Sequence, residues 1–396
     1  MKEQHLVAAV VMATLALGGM ITYSDLTGDP EPDVGVLEER CEVLPAEKLV
    51  PDGVLFGTNV DLDHRPLADY AADLGHRPAV TVVFTDFPYD EDKRSDLRDA
   101  AAEIRADGQI MLLTLEPRQG LEAVTEESVR ALVDDLAQFN SAGVPVIVRF
   151  GHEMNGSWRE WGQQPQAYID TFRTVARGVH QGAPGSAMMW APNYGGGYPF
   201  IESRDETRTQ DLDALDTDGD GELTMADDPY APYYPGDEAV DWVGMSLYHW
   251  GSDFPWGENE IPEPDKFADQ LTGDYDGDDG DFTVVPDFYT IYGQEHGKPV
   301  AIPETAAFYN PEETEGAQQL AIKQAWWEQL FDDSVPARFP QLKMINWFEW
   351  DKHEPEVDAR VDWTTTDDPV LGEAFTAGLP EWLRYGSRAS CTPASP

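Results

Sequence analysis

Apolar residues recur along this chain in two alternating rhythms. One is a set of short continuous runs: Val54–Thr58, Val80–Thr85, Ile110–Leu115, Val144–Arg149, Ala187–Pro192, Val240–Leu247, Val300–Pro303 and Met344–Phe348. Unbroken apolarity over four to eight residues is what a parallel strand shows when helices cover both of its faces. The other rhythm has helical period. Leu97, Ala101 and Ile104 share a face, with Ser95 as the expected cap and Gly108 just past the end. Val129, Leu132, Val133, Leu136 and Phe139 form a second stripe ahead of Gly143, and Tyr168, Phe172, Val175, Ala176 and Val179 a third. Strands alternating with helices in this way predict an α/β fold, a (β/α)8 TIM barrel over residues 50–385. A doubly wound open sheet is the competing arrangement, but no glycine-rich loop follows the first run.

Two connections in this pattern are swollen with acid. In "DTDGDGELTMAD", Asp216, Asp218, Asp220, Gly221, Glu222, Thr224 and Asp227 fall at positions 1, 3, 5, 6, 7, 9 and 12 of a calcium-binding loop. Alternate carboxylates can converge on one hard cation while the glycine permits the sharp turn. Aspartate at the last position resembles dockerin-type loops more than sensor EF-hands. Structural Ca2+ is therefore expected, held by Asp216, Asp218, Asp220, Glu222 and Asp227. The second stretch, "DYDGDDGD" at 274–281, lacks glycine at the turning position and reads as a charged surface loop.

The charge balance narrows the partners. With 75 acidic against 26 Lys plus Arg, the formal net charge is −49, which repels phosphate backbones and anionic lipid. Nucleic acid is thereby excluded as a partner. A surface rich in acid and poor in Lys suits a saline habitat, and equally an acidic secreted enzyme. At the N-terminus, Met1-Lys2 precedes an apolar run from Leu6 to Ile21, the length of a signal-peptide core. Residues 1–23 are read as a signal peptide or uncleaved signal anchor, 24–49 as an acidic linker and 386–396 as a C-terminal tail. The domain is expected to be secreted, with the N-terminal segment as its one route to a membrane, and monomeric. Cys41 and Cys391, the only cysteines, flank the fold and are expected to pair in an oxidising compartment.

The C-terminal strand ends of such a barrel carry the active site. The third run ends at Glu116, the fourth at His152 and Glu153, and the fifth at Trp190 and Asn193. The sixth ends at Tyr248, His249 and Trp250, the seventh at Glu304, and the eighth at Trp347, Glu349 and Trp350. For either Glu153 or Glu304 alone, a helix cap or ion pair is the simpler reading. Two carboxylates from runs four and seven, ringed by Trp and Tyr, instead suit a sugar: the indoles stack on pyranose C–H faces, and the carboxylates divide acid and nucleophile duties. Competing motifs fail. "HEMN" lacks the second histidine of a zinc-protease helix, and "GMSLY" lacks the closing glycine of a nucleophile elbow.

"GHEMNGSWREWG" (151–162) resembles the acid/base motif of glycoside hydrolase family 26, whose members include endo-β-mannanases. "YYPGDEAVDWVGMSLYHWG" (233–251) and "KPVAIPETAAFY" (298–309) are similar to its strand 6 and strand 7 signatures. The resemblance implies Glu153 as general acid/base and Glu304 as nucleophile. It implies His152 and Tyr248 as their supports and Trp158 as a wall beside the scissile bond. Trp161, Asn193, Trp250 and Trp347 complete the expected substrate-binding set, with Trp190 and Trp350 as further stacking candidates. The implied activity is that of a retaining endo-β-glycosidase acting on a polysaccharide, β-1,4-mannan first. A β-glucanase or β-xylanase of the same family and a non-catalytic carbohydrate-binding barrel are the alternatives. "SWREWG" departs from the more aromatic "SWFWWG" of mannanases, placing Arg159 and Glu160 beside the motif's tryptophans.

Overall fold

The computed structural model describes residues 40–387 and Cys391, apart from residue 63 and the segments 201–210, 253–255, 278–279 and 282–284. The apolar N-terminal run and most of the acidic segment behind it lie outside the described residues. Among those described, no helix is long and apolar enough to cross a membrane.

Eight parallel strands close on themselves: β1 (Val54–Val60), β2 (Val80–Asp86), β3 (Ile110–Glu116), β4 (Val146–Phe150), β5 (Ser186–Trp190), β6 (Trp242–Gly244), β7 (Val300–Thr305) and β8 (Leu342–Glu349). Closure comes from β8 pairing with β1, in register from Leu55↔Met344 to Val60↔Glu349. The unbroken apolar runs have a simple cause. Leu55, Val82, Leu112, Ile147, Met189, Ala301 and Met344 fill the barrel interior. Their chain neighbours Phe56, Val83, Leu113, Val148, Met188, Ile302 and Ile345 belong instead to the layer packed with the helices. Both faces are buried, so nothing alternates.

Helices α1 (Leu67–Leu74), α2 (Glu91–Asp107), α3 (Glu126–Ser141) and α4 (Pro165–Gly182) follow the first four strands. The α2 helix begins a turn earlier than Ser95: Asp90 is the cap and accepts from the Lys93 N–H at 3.0 Å. The acidic run Asp90–Asp92 hides this start from a search for apolar periodicity, yet acid is what a helix N-terminus favours. Gly108 ends α2 with φ +67°. β6 is shorter than its apolar run, since Pro303 on β7 has no N–H to give the ladder. The chain still tracks β7, with Leu247 N–H on the Glu304 carbonyl at 3.0 Å and His249 N–H on that of Ala306 at 3.0 Å. Among its described residues, the long β5–β6 connection carries a four-residue helix, Leu212–Leu215, and a 3-10 turn at Ala231–Tyr233. Asp276–Gly277 and Gly280–Asp281 form a small antiparallel hairpin.

The segment expected as a linker reaches the barrel earlier than residue 50. Cys41 and Leu49 are buried, and the Cys41 and Ala46 N–H groups donate to Ser141 and Pro184 carbonyls at 2.7 and 2.9 Å. Cys41 is bonded to Cys391 with the Cα atoms 5.2 Å apart, closing a separation of 350 residues.

At the end of β8, Glu349 turns away from the barrel mouth. Its carboxylate accepts from the Thr365 N–H and hydroxyl and from the Thr366 hydroxyl, with Arg65 3.9 Å away. Burial lifts its carboxyl to about 7, against the opposing pull of those donors, Lys323 and Arg65.

Two expectations follow. Cys391→Ser should lower the unfolding temperature, since opening so long a loop removes at most about 5 kcal/mol; two titratable thiols in the native protein would contradict the pairing. For Glu349, a folded value near 7 above an ordinary 4.5 means that its contribution is complete below pH 4.5 and is lost as pH rises through 7. Stability measured by denaturant unfolding should therefore fall across that window by about 3 kcal/mol more in the native protein than in Glu349→Gln.

Candidate active site

β4 ends in a turn that lifts an acid into the barrel mouth. Gly151 and Glu153 both sit at positive φ, +52° and +55°. For glycine this is free, whereas for glutamate it costs about 1–3 kcal/mol. The turn is held by the Glu153 N–H on the Ala191 carbonyl at 2.8 Å and the Gly156 N–H on the Glu153 carbonyl at 2.9 Å. Trp161, fully buried, donates Nε1–H to the His152 carbonyl at 2.7 Å. Asn155 ties this loop to the one after β5, donating to the Asn193 carbonyl and accepting from the Asn193 N–H, both at 2.8 Å. Gln163 anchors its far side on the Pro199 carbonyl at 2.9 Å.

Facing Glu153 across the mouth is Glu304 on β7. Its carboxylate accepts from the Tyr248 hydroxyl at 2.9 Å and from Nη2 of Arg149, which forms an ion pair with it. Arg149 is fully buried at the top of β4, with Nε–H on Thr114 Oγ1 at 2.9 Å and its guanidinium 5.3 Å from the Phe84 ring centre. A lone arginine within "VIVRF" must find a buried partner. That was the sequence signal for Arg149, which residue-by-residue reading passed over as a strand end.

His152, Glu153 and Glu304 each bring one side-chain nitrogen or oxygen within 4.8 Å of the other two. Glu153 Oε2 accepts from the Trp158 Nε1–H at 3.1 Å and lies 3.8 Å from Arg159 Nη2. Burial raises the Glu153 carboxyl above its ordinary range; Arg159 opposes this and Glu304 reinforces it. His152 is buried, and burial together with Arg149, Arg159 and Arg118 pushes its imidazole well below the usual value. Burial and the Glu304 charge push the Tyr248 phenol well above its own.

Aromatic rings line the mouth from β6 to β8. Tyr248 lies 5.3 Å from Trp363 and 5.8 Å from Phe348, and Trp250 lies 4.8 Å from Trp363 and 5.6 Å from Trp256 (ring centres). Across the mouth, Trp158 is 38% exposed and packs edge-on against Phe200 at 5.0 Å. Trp256, Trp363 and Phe200 escaped sequence reading because they lie outside the strand-end motifs, and Phe348 because it reads as the last apolar residue of its run.

Three tryptophans are corrected. Trp347 is fully buried against Phe375 at 5.1 Å, on the helix side of β8, so it packs the barrel wall and meets no substrate. Trp161 acts on the backbone of the β4 turn, and its buried ring offers no stacking face. Trp190 is buried among Phe288, Tyr292 and Tyr234. Strand alternation decides this, since a ring one residue along the strand faces the other side. Asn193 is half-buried at the loop after β5, and Trp350 bridges to Asn59 Oδ1 at 3.1 Å. His249 donates its Nε2–H to the Glu260 carbonyl at 2.9 Å, and burial lowers it to about 3, so it braces the loop.

In the acidic loop, Asp216, Asp218 and Asp227 bring carboxylate oxygens within 4.8 Å of one another, whereas Asp220 and Glu222 stand outside that group. Asp227 is buried and accepts from the Thr217 and Thr224 N–H groups at 2.6 and 2.8 Å. Asp216 accepts from the N–H groups of Gly219, Asp220 and Gly221. Leu215 and Leu223 anchor the loop in the core.

Comparison with known proteins agrees with this architecture. A modular endo-β-1,4-mannanase from Cellulomonas fimi is 18% identical, with a TM-score of 0.53, and the match covers 93% of this chain and 80% of that one. A double mutant of the C. fimi endo-β-1,4-mannanase is 17% identical at a TM-score of 0.52, covering 86% of this chain and 74% of that one. Thermotoga maritima Cel5A, solved with cellobiose, is 10% identical at a TM-score of 0.50, covering 85% and 100% respectively. At such identities the likeness is one of fold. A search of curated proteins finds no match. Residues 111–182, which carry β3, β4 and the His152–Glu153 turn, match the model of "Glycosyl hydrolase family 26". The likeness to that family therefore rests on the segment that carries the His152–Glu153 turn.

Proposed function

We propose that this protein is a secreted, retaining endo-β-glycosidase that cleaves β-1,4-mannan. The observation that carries the reading is the approach of Glu153 and Glu304 to within 4.8 Å. A retaining site needs its carboxyl groups about 5–5.5 Å apart, whereas an inverting site needs about 6.5–9.5 Å to admit a water between them. The mannan assignment draws on the family match and on the C. fimi mannanases; the Trp158 face beside Glu153 offers a pyranose its stacking surface.

The residues divide the work. Trp158 and Arg159 face Oε2 of Glu153, and a proton on the carboxyl is given to the glycosidic oxygen as the bond breaks. Glu304, aimed by Arg149 and Tyr248, attacks the anomeric carbon to form a glycosyl ester. Glu153, now a carboxylate, takes a proton from water, and the hydroxide displaces Glu304 with net retention. Raised by burial, Glu153 keeps its proton to a higher pH than an ordinary glutamic acid, so activity on unactivated glycans extends upward and falls once that proton is lost. Secretion accords with the N-terminal apolar run and with a Cys41–Cys391 bond. The 216–227 loop is proposed to hold a structural Ca2+, through Asp216, Asp218 and Asp227 first.

Glu304→Ala should abolish turnover, and azide should restore cleavage with a product of the opposite anomeric configuration. Glu153→Ala should slow mannan hydrolysis by roughly 10²–10⁴-fold while sparing aryl glycosides with good leaving groups. Proton NMR of the first product settles the stereochemistry: inversion by the native enzyme would remove the mechanism. A polysaccharide panel tests the sugar, and cleavage of β-glucan or β-xylan in place of mannan would replace it. For the acidic loop, Ca2+ at one hundred times its dissociation constant should add about 2.7 kcal/mol of stability. A melting temperature indifferent to both chelator and Asp218→Ala would dismiss the ion.

A further inference from the structure

Arg159 sets a permanent charge beside the proposed acid. Its Nη2 lies 3.3 Å from His152 Nε2 and 3.8 Å from Glu153 Oε2, and its Nη1 lies 3.6 Å from Glu116 Oε1. The guanidinium rests 5.6 Å from the centre of the buried Trp161 ring. Glu116, buried at the end of β3, is in turn held by Arg118 at 2.7 Å, and Arg118 by Asp86 of β2 at 3.0 Å. Asp86 and Glu116 are register partners, so the pairing of β2 with β3 sets their spacing. Charges thus alternate from Asp86 through Arg118, Glu116 and Arg159 to Glu153. Swinging Arg159 away would strip a buried glutamate of a counter-charge, which pins the guanidinium where it is.

We propose that Arg159, pinned by Glu116, is a positioning residue that limits how tightly Glu153 holds its proton and keeps His152 in one neutral form. The inference rests on the reading of Glu153 as acid and base. Guanidinium nitrogen can only donate, so His152 Nε2 is the acceptor and the imidazole proton sits on Nδ1. The charged or titratable groups around Glu153 are Glu304 from β7, Arg149 from β4, Tyr248 beyond β6, Glu116 at the end of β3 with Arg118 just beyond it, and His152 on its own turn. Burial and Glu304 favour the protonated acid, while Arg159 opposes them. The opposition matters in the second half-reaction. Glu153 must then be a carboxylate to take a proton from water, and an acid raised without limit would stall at the glycosyl ester. A positive charge at this distance prevents that stall without removing the acid needed for the first step.

The test compares Arg159→Gln, Arg159→Lys and Glu116→Gln with the native protein. The Glu153 carboxyl is titrated by NMR with 13C-labelled glutamate, assigned with Glu153→Gln, and the pH profile of kcat/KM on mannan is measured alongside. In Arg159→Gln the Glu153 midpoint and the alkaline limb should both rise by about one pH unit or more. Arg159→Lys should restore most of the native value, and Glu116→Gln should move it the same way by less. Glycosyl-enzyme should also accumulate in Arg159→Gln at a pH where the native enzyme shows none. A Glu153 midpoint that stays in place in Arg159→Gln, with Arg159→Lys folded and equally unmoved, overturns the inference. A midpoint that moves in a protein hydrolysing no glycan upholds the charge coupling and defeats the glycosidase reading instead.

Discussion

Two carboxylates within 4.8 Å of each other cannot both be charged in a water-poor cleft unless positive charge is brought to them. The architecture of the barrel mouth follows from that constraint. Arg149 stands where an interior-facing apolar residue would otherwise close the barrel, and it is held by Glu304, Thr114 and the Phe84 ring. Arg159 meets the other carboxylate from the loop above. The two cations differ in setting: one is sealed in the barrel, the other sits at the end of an alternating charge chain reaching the rim. Glu304 is therefore clamped on two sides, while Glu153 is left poised between burial and a partly solvated guanidinium.

The strained turn at Glu153 serves the same end. Regular strand geometry would carry the side chain at 153 to one face of the barrel or the other, whereas a left-handed step turns it over the opening. The cost is borne by surroundings that over-determine the turn. Asn155 locks it to the next loop, Trp161 hangs on its carbonyl, and Gln163 fastens its far end. None of these touches the acid, yet moving any of them would shift it.

Aromatic residues divide between frame and cleft in a way their number does not reveal. Trp190, Trp347 and Trp161 are spent on packing, while Trp158 keeps an open face and Trp250 leads through Trp256 to the surface. The acidic surface has a comparable division. Among the described residues most acids reach solvent, while Glu116, Glu153, Glu304 and Glu349 are buried or nearly so, each beside an arginine.

The sequence alone determined the barrel, because eight apolar runs with helical stripes between them have few other ways to bury both strand faces. It also pointed to His152, Glu153 and Glu304 as neighbours in the barrel mouth, because they stand at strand ends, where the chain leaves the core. Only the tertiary structure decided which tryptophans open onto the barrel mouth, since strand alternation is lost when both faces are apolar. Only it showed Arg149 reaching Glu304 and Arg159 reaching Glu116, contacts between residues far apart along the chain whose geometry depends on barrel closure and strand register. The early start of α2 at Asp90 and the left-handed step at Glu153 belong to the same class. Local charge and backbone strain leave no apolar period to read, and their meaning appears only when the neighbouring strands are in place.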